Sequence, residues 1–277
     1  MVRIFYAVVF GFCYLAKSSF AQDLKIKGSD TMYPMVREIT DLYGKGVLLE
    51  GGGSSAGITA FREGKVDMAM SSRNLNNEEK EAITKQGKDA YSIIVAYDAL
   101  SFIVHPENKV TRLTQKQLAD IFSGEVTNWK QVGGDDKPIQ VIIREATSGT
   151  NEFVKDVVLN KKPFPANAKI CTGTSAVIQA VSQMPNAIGF VGIGYLEEIV
   201  KPVAVASGNS ANFVVPSFKT ALNKTYPLIR PLYFIYDKKQ EGRIKSFVDF
   251  ATSSLGQKVV VHRGFIPATG MTNGNAK

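Results

Sequence analysis

The sequence has few of the residues that build metal sites and disulfide frameworks. Its 277 residues include two cysteines and two histidines. Cys13 lies in an apolar run near the start, so the rest of the chain has only Cys171 and cannot form an internal disulfide. Two histidines and one cysteine are also too few for an ordinary zinc site. We therefore predict a protein with no metal and no other cofactor.

Long apolar runs and basic stripes are lacking as well. The run at residues 4–16 falls short of the roughly 20 residues that span a bilayer, and no second run is long enough. The formal net charge is +8, but basic residues are scattered among acids, as in Lys80-Glu81, and no Arg/Lys stripe carries interleaved aromatics. We therefore predict that the protein does not bind nucleic acid. The small positive excess suits an anionic ligand.

The start of the chain has the order of features typical of a secretory signal. Arg3 provides a positive charge, residues 4–16 are almost continuously apolar, and residues 19–21 (Ser-Phe-Ala) offer small residues where signal peptidase reads them. We predict that residues 1–21 are a cleaved signal peptide and that the mature chain is periplasmic or extracellular. A retained membrane anchor is the less favoured alternative, because the apolar run is short.

Strand and helix patterns alternate along the rest of the chain. Runs rich in Val, Ile and aromatic residues are separated by stretches with helical periodicity, such as Val36, Ile39, Leu42 and Tyr43 on one face. Thr114 with Gln117 predicts a capping box at the start of a later helix. The alternation predicts an α/β chain with largely parallel sheets. We predict strands at residues 24–27, 47–50, 66–71, 91–97, 100–105 and 140–144.

Four predicted strand-to-helix turns consist almost entirely of Gly, Ser, Thr and small polar residues. They lie at residues 28–31, 51–57, 147–150 and 172–175. A helix N-terminus offers unpaired N–H groups, glycine permits close backbone approach, and Ser or Thr adds a hydroxyl donor. Any one turn is equally typical of an ordinary helix cap. The four together, with Arg144 just before one of them, predict a site for an oxyanion.

At these turns the sequence resembles the phosphate-binding proteins of ABC-type phosphate transporters. The shared motifs occur in the same order at residues 28–34, 53–57, 70–73, 144–150 and 186–192, and the resemblance covers residues 24 to about 269. It implies a two-lobed periplasmic-binding-protein fold of type II, with two mixed sheets flanked by helices and a ligand cleft between the lobes. It also implies a monomer that captures inorganic phosphate and delivers it to the transmembrane subunits of an ABC permease, which a separate ATPase drives.

The resemblance further implies a division of the chain and a set of phosphate-binding residues. One lobe would comprise residues 22–97 plus 230–277, and the other residues 98–229. In the first turn the backbone N–H groups would matter more than the side chains, and Arg144 would supply the positive charge. The predicted phosphate-binding residues are Ser29, Thr31, Met32, Tyr33, Ser54, Ser72, Arg144, Ser148, Gly149 and Thr150.

The sequence departs from the family pattern after the third strand. Well-known members carry there an aspartate that accepts the proton of hydrogen phosphate, whereas this chain has Ser72. A fixed carboxylate separates phosphate from sulfate, because sulfate has no proton to donate at neutral pH. We predict that Asp98 supplies this carboxylate, with Asp30 as the second choice. The alternative for Asp98 is that it only ties down the crossover between the lobes.

Three other functions remain open at this stage. The first is binding of another tetrahedral oxyanion, such as sulfate or molybdate. The second is a secreted phosphatase or hydrolase, because residues 53–57 fit the Gly-x-Ser-x-Gly pattern and His262 lies late in the chain. The third is a surface scaffold with a vestigial site. A nucleotide-binding P-loop is excluded, because Ile58 rather than Lys follows the glycine-rich turn.

Overall fold

The computed structural model describes residues 23–44, 46–208 and 210–271. The predicted signal peptide lies outside these residues. Within the described part of the chain, no helix combines the length and apolar character needed to cross a membrane. The strands are β1 Leu24–Gly28, β2 Val47–Glu50, β3 Met68–Ser71, β4 Ala90–Val104, β5 Arg112–Thr114, β6 Gln140–Arg144, β7 Lys169–Cys171, β8 Ala187–Gly192, β9 Lys201–Pro202, β10 Ala204–Ala206, β11 Ile229–Asp237 and β12 Ile266–Pro267.

The helices alternate with the strands over much of the chain. A π-helical turn, Val154–Val158, directly follows the fifth helix of the chain. Four of the helices follow the glycine- and serine-rich turns that the sequence singled out. The helices are α1 Tyr33–Tyr43, α2 Ser54–Arg62, α3 Asn77–Lys85, α4 Gln115–Ser123, α5 Gly149–Phe153, α6 Thr174–Gln183, α7 Phe218–Leu222, α8 Glu241–Thr252 and α9 Ser254–His262.

Two groups of strands share one long central strand. On one side the order is β2-β1-β3-β11-β4, with β1 parallel to both neighbours and β11 antiparallel to β3 and β4. On the other side the order is β4-β8-β6-β7, with β6 parallel to β7 and β8. We refer to the half containing β1 to β3 as the first lobe and the half containing β6 to β8 as the second lobe.

The crossover between the lobes differs from the prediction. Residues 91–97 and 100–105 were expected as separate strands, but β4 runs without a break over 15 residues. Its part up to Ala99 pairs with β11, and the part from Leu100 onward pairs with β8. An aspartate normally disfavours a strand interior, but Asp98 is paired across the sheet with Arg230, which neutralises its charge. The predicted lobe ranges remain a prediction.

Side-chain caps account for the starts of five of the nine described helices. The predicted capping box is confirmed, since the Thr114 hydroxyl accepts from the Gln117 N–H and the Gln117 side chain accepts from the Thr114 N–H. Helix α1 buries Val36 and Ile39, as its periodicity predicts. Leu42, expected on the same face, is 51% exposed, so the buried stripe is narrower than predicted.

Candidate oxyanion site

A narrow cavity lies between the two lobes, where the glycine- and serine-rich turns meet. Eight of the ten residues predicted for the site line it, together with Asp30 and Gly53. Most polar side chains around it are almost completely withdrawn from solvent, whereas that of Asp30 is 22% exposed. The lining residues are Ser29, Asp30, Thr31, Gly53, Ser54, Ser72, Arg144, Ser148, Gly149 and Thr150.

The fold brings these residues together because each turn follows the carboxyl end of a strand. Ser29 and Thr31 follow β1, and Ser72 follows β3. Ser54 is the first residue of α2, and Gly149 and Thr150 begin α5 behind the cap residue Ser148. Parallel strands present their carboxyl ends at one edge, and the N-termini of the following helices point at that edge. The cavity therefore faces two helix N-termini, which favour negative charge.

Two glycines allow the lobes to approach closely. Gly53 has φ of +93°, and a Cβ added there would overlap the carbonyl of Thr147 in the other lobe. A Cβ at Gly149 would overlap the Ser54 hydroxyl and crowd that of Ser72. The adjacent Ser55 N–H donates across the cleft to the Thr147 carbonyl, at 3.1 Å. Any side chain at either position would hold the lobes apart.

Buried hydroxyl groups from both lobes lie against one another in the cavity wall. The Ser54 Oγ accepts from the Ser72 N–H at 3.1 Å and lies 3.3 Å from the Ser72 Oγ. The Thr31 Oγ1 of the first lobe lies 3.0 Å from the Thr150 Oγ1 of the second. Each hydroxyl has one hydrogen and two lone pairs. The Ser54 hydrogen can therefore be donated either to the Ser72 Oγ or to a bound anion.

Arg144 provides the cationic group of the cavity wall and is 2% exposed. Its Nη2 donates to Asp30 at 2.7 Å and to Glu145 at 2.6 Å, and its Nη1 donates to Thr174 Oγ1 at 2.8 Å. Burial disfavours the guanidinium charge, but the carboxylates of Glu145 and Asp30 outweigh that effect and raise its pKa. For Glu145, burial works against ionisation, but the hydrogen bonds from Arg144 prevail and lower its pKa. One guanidinium thus lies beside two carboxylates.

The fourth predicted turn supports the cavity without lining it. Thr174, at the start of α6, holds the Arg144 guanidinium. Tyr195 donates its hydroxyl to the Asp30 carbonyl, and burial raises the pKa of that hydroxyl well above its ordinary value. These two residues fix Arg144 and the Asp30 backbone relative to each other. Sequence reasoning did not identify Tyr195, which lies in a one-turn 3₁₀ segment with no distinctive pattern.

Met32 and Tyr33 are not among the residues that line the cavity. Met32 is completely buried in the core, and Tyr33 is the first residue of α1. Their N–H groups, expected to face the ligand, donate within the turn to the carbonyls of Ser29 and Asp30, at 3.1 and 3.3 Å. The first turn therefore contributes Ser29, Asp30 and Thr31 to the lining, whereas Met32 and Tyr33 stabilise the turn itself.

The two candidate proton acceptors occupy different positions. Asp98 is fully buried, accepts from the Arg230 Nε and Nη2 at 2.9 and 2.8 Å, and accepts from the Ile193 N–H at 2.8 Å. It does not line the cavity, so the structure favours the alternative in which it ties down the crossover. Asp30 does line it. The Asp30 Oδ1 accepts from the Gly52 N–H at 2.9 Å and its Oδ2 accepts from Arg144, which leaves each oxygen a further lone pair.

A network of charged residues joins the lobes beside the cavity. Arg73 of the first lobe is 9% exposed and forms ion pairs with Glu79 of its own lobe, at 2.7 Å, and with Glu152 of the second lobe. The Ser55 hydroxyl also contacts Glu152, at 3.3 Å. Together with the Asp30–Arg144 pair, these contacts show that the structure has its lobes closed on each other.

The serine turn and the histidine considered for a hydrolase do not meet in this cavity. His262 is exposed at the end of α9 and lies against Glu38, and it is not part of the cavity lining. Among the described residues, no group of three or more His, Cys, Asp and Glu side chains is arranged to hold a metal ion. The Gly-x-Ser-x-Gly turn at residues 53–57 thus places Ser54 beside other hydroxyls and beside Gly149.

Comparison with known proteins agrees with this geometry. Residues 16–254 match the PBP superfamily domain. The phosphate-binding protein PstS of Borreliella burgdorferi is 35% identical over 88% of this chain and 89% of its own length. PstS of Pseudomonas aeruginosa is 34% identical over 92% and 85%, respectively.

Solved structures show the same fold. A Clostridium perfringens protein with bound phosphate, described as the substrate-binding protein of a phosphate ABC transporter, superposes with a TM-score of 0.81. It is 32% identical, over 89% of this chain and 99% of that one. An ABC-type phosphate transport receptor from Vibrio cholerae gives a TM-score of 0.73 at 29% identity, over 88% and 99%. The predicted fold is confirmed, and the chain belongs to the PBP superfamily and, within it, to the phosphate-binding proteins of ABC-type transporters.

Proposed function

We propose that this protein captures inorganic phosphate in the cavity between its lobes and delivers it to an ABC-type permease for import. The observation that carries the proposal is the joint presence of buried hydroxyls, two helix N-termini, Arg144 and Asp30 around one narrow cavity between the lobes. The names of its relatives, and the phosphate bound in the Clostridium perfringens structure, support the same ligand.

The donors would be shared between the lobes. Ser29, Thr31, Ser54 and Ser72 belong to the first lobe, whereas Arg144 and residues 148–150 belong to the second. Each lobe alone offers only part of the set, so phosphate stabilises the closed state in preference to an open one. A charge-assisted hydrogen bond contributes about 1.5–3 kcal/mol, offset in part by dehydration of the anion. We expect a dissociation constant of about one micromolar or lower, which corresponds to about −8 kcal/mol.

Selectivity for phosphate would depend on Asp30. The lining contains one guanidinium, and two carboxylates, Asp30 and Glu145, contact it. This local charge does not favour a fully deprotonated anion, such as sulfate. Hydrogen phosphate carries a proton and can donate it to a free lone pair of the Asp30 carboxylate, which turns a repulsive contact into a hydrogen bond. We therefore assign the role of the aspartate missing at Ser72 to Asp30.

The remaining parts of the proposal concern the protein's place in the cell. We propose a monomer exported by cleavage after residue 21, with lobes formed by residues 22–97 plus 230–277 and by residues 98–229. Its partners would be the transmembrane subunits of a permease whose energy comes from a separate ATPase. The protein would make and break no covalent bond. Incubation with phosphate esters and with acyl esters, followed by a measurement of hydrolysis, tests this directly.

Calorimetry of the mature protein with phosphate, sulfate and molybdate tests the proposal. We expect one phosphate bound per chain, and much weaker heats with the other two anions at neutral pH. Tighter binding of sulfate or molybdate than of phosphate would assign the protein to another oxyanion. No measurable heat with any of the three would overturn the proposal and favour a scaffold with a vestigial site.

A further inference from the structure

A buried ion pair lies directly behind the cavity wall. Arg230 and Asp98 face each other across β11 and β4, and they are 1% and 0% exposed. A buried ion pair usually stabilises a fold no better than well-packed apolar residues would, because both charges lose their hydration. The Arg230 Nη1 makes no hydrogen bond with any described residue, which adds to that cost. The pair is therefore poorly explained as a stability device.

Arg230 also contacts the cavity wall through one hydroxyl. Its Nη2 donates to the Thr150 Oγ1 at 3.0 Å, and that oxygen lies 3.0 Å from the Thr31 Oγ1. Both threonines line the cavity. A guanidinium has only donors, so the Thr150 oxygen must act as the acceptor in this contact. Arg230 thereby occupies one of the two lone pairs of the Thr150 oxygen.

This contact limits what the two threonines offer to a ligand. Of their two hydroxyl hydrogens, one is used in the contact between Thr31 and Thr150 and the other is free. If Thr31 donates, both lone pairs of Thr150 are occupied and Thr150 gives its hydrogen to the cavity. If Thr150 donates, Thr31 gives its hydrogen instead. In either arrangement the pair presents one donor, and Arg230 occupies acceptor capacity of Thr150 that a protonated ligand would otherwise use.

We infer that Arg230, held by Asp98, is a positioning residue that holds the Thr150 hydroxyl against Thr31, occupies one of its lone pairs and so favours hydrogen phosphate over dihydrogen phosphate. The inference rests on the proposed function and deepens it. Asp30 remains the acceptor for the single proton of hydrogen phosphate. Dihydrogen phosphate has a second proton, and the Arg230 contact occupies one of the lone pairs that could accept it.

The charged and titratable groups around Arg230 preserve its contact with Thr150 over the pH range of the test. Arg230 faces Asp98 at short range and Arg144 at longer range. Tyr195 and Tyr226 lie within the field of Asp98, and burial raises the pKa of both hydroxyls above the ordinary value. The phenols therefore stay protonated at neutral pH, whereas phosphate itself changes its protonation state at about pH 6–7.

The test is the double variant D98N/R230M, which removes one charge of each sign and leaves the net charge unchanged. At about pH 8.5, where hydrogen phosphate dominates, we expect the dissociation constant for phosphate to rise about tenfold or more. At about pH 5.5 we expect a smaller rise, because the freed Thr150 oxygen can accept from dihydrogen phosphate. The control K245M/D249N removes an exposed pair of the same charges on α8 and should change neither value.

A variant of Thr150 shows whether Arg230 acts through this hydroxyl. T150V removes the Thr150 oxygen altogether, so it should weaken phosphate binding at both pH values and leave no hydroxyl there to accept from dihydrogen phosphate. Adding D98N/R230M to T150V should cause little further loss at either pH, since Arg230 then has no hydroxyl to hold. If the double variant does not fold, which circular dichroism would reveal, R230K tests the same contact, because it keeps the charge but displaces the donor, and it should show the same pH pattern with a smaller rise.

The outcomes separate this inference from the proposed function. If the parent protein binds no phosphate, the proposed function fails. If the parent binds phosphate and D98N/R230M has the same dissociation constant as the parent at each of the two pH values, the positioning role is overturned. Losses that are equal at both pH values and additive with T150V would also overturn it, because they would indicate a structural role alone.

Discussion

Asp30 and Arg144 form an ion pair across the cleft, with 2.7 Å between the carboxylate Oδ2 and the guanidinium Nη2. The two residues are 114 positions apart and belong to different lobes. The cation that would bind the anion is therefore also bound to a carboxylate that would repel it. Because of this pairing, the attraction between the cavity and an anion depends on the protonation state of that anion.

Replacing Arg144 by alanine should abolish tight phosphate binding. The change removes the guanidinium and leaves Asp30 and Glu145 without their common partner, so both the loss of attraction and the new repulsion act against an anion. We expect the dissociation constant in calorimetry to rise on the order of a hundredfold or more, as for loss of a strong charge-assisted bond. R37A removes an exposed arginine that pairs with Asp41 and should leave binding unchanged. Unaltered binding in R144A would contradict the assigned site.

Replacing Asp30 by asparagine should reduce the preference for phosphate over sulfate. The amide removes the repulsion of sulfate and offers a donor as well as an acceptor. We expect the ratio of sulfate to phosphate dissociation constants to fall about tenfold or more at neutral pH. Competition of each anion for the purified protein measures the ratio. A ratio equal to that of the parent would exclude Asp30 as the selectivity residue.

Replacing Gly149 by alanine should prevent full closure. The added methyl group would overlap the Ser54 hydroxyl from the opposite lobe, and the main chain must shift to relieve it. We expect weaker phosphate binding with little change in the free energy of unfolding, because the clash exists only when the lobes meet. G242A lies in an open position on α8 and serves as the control. Scattering that shows phosphate-induced compaction in G149A equal to the parent would contradict the prediction.

Glu145 should contribute to stability in a pH-dependent way. Its folded-state pKa is lowered despite its burial, because the Arg144 hydrogen bonds favour the ionised form. The contribution is therefore present above the unfolded-state pKa of about 4.3 and is lost as pH falls through the lower folded-state value. Urea unfolding at about pH 6 and about pH 3 should show a larger loss of stability in the parent than in E145Q.

The control for Glu145 is E125Q, which alters an exposed ion pair with Lys162. Exposed pairs contribute about 0–1 kcal/mol, so this variant should follow the parent at both pH values. A pH dependence in E145Q that is identical to the parent's would show that this carboxylate is not responsible.

The parts of the site that the sequence predicted are local ones. Residues 53–57 and 147–150 could be recognised from the sequence. Glycine and hydroxyl residues directly before a helical pattern are typical of helix N-termini, where they cap the helix or bind an anion. The pairing of Asp30 with Arg144 depends on the folded topology, and no local pattern signals it. The prediction that Asp98 accepts the phosphate proton did not take its ion-pair partner Arg230 into account. Arg230 is the one charged residue in the apolar stretch at residues 228–236, and this was the available signal. Two isolated opposite charges in apolar strands tend to pair, because an unpaired buried charge is costly.

The continuous course of β4 has a consequence for how the lobes move. At the point where this strand passes from one half to the other, the Leu100 N–H donates to the Leu228 carbonyl at 2.8 Å, which joins the two connecting segments. Opening therefore cannot occur by free rotation about single residues. It requires elastic bending of a bonded two-stranded ribbon, whose resistance limits the amplitude and returns the halves toward one preferred angle. Amide hydrogens at this point should consequently exchange slowly with solvent in the empty and the loaded protein alike.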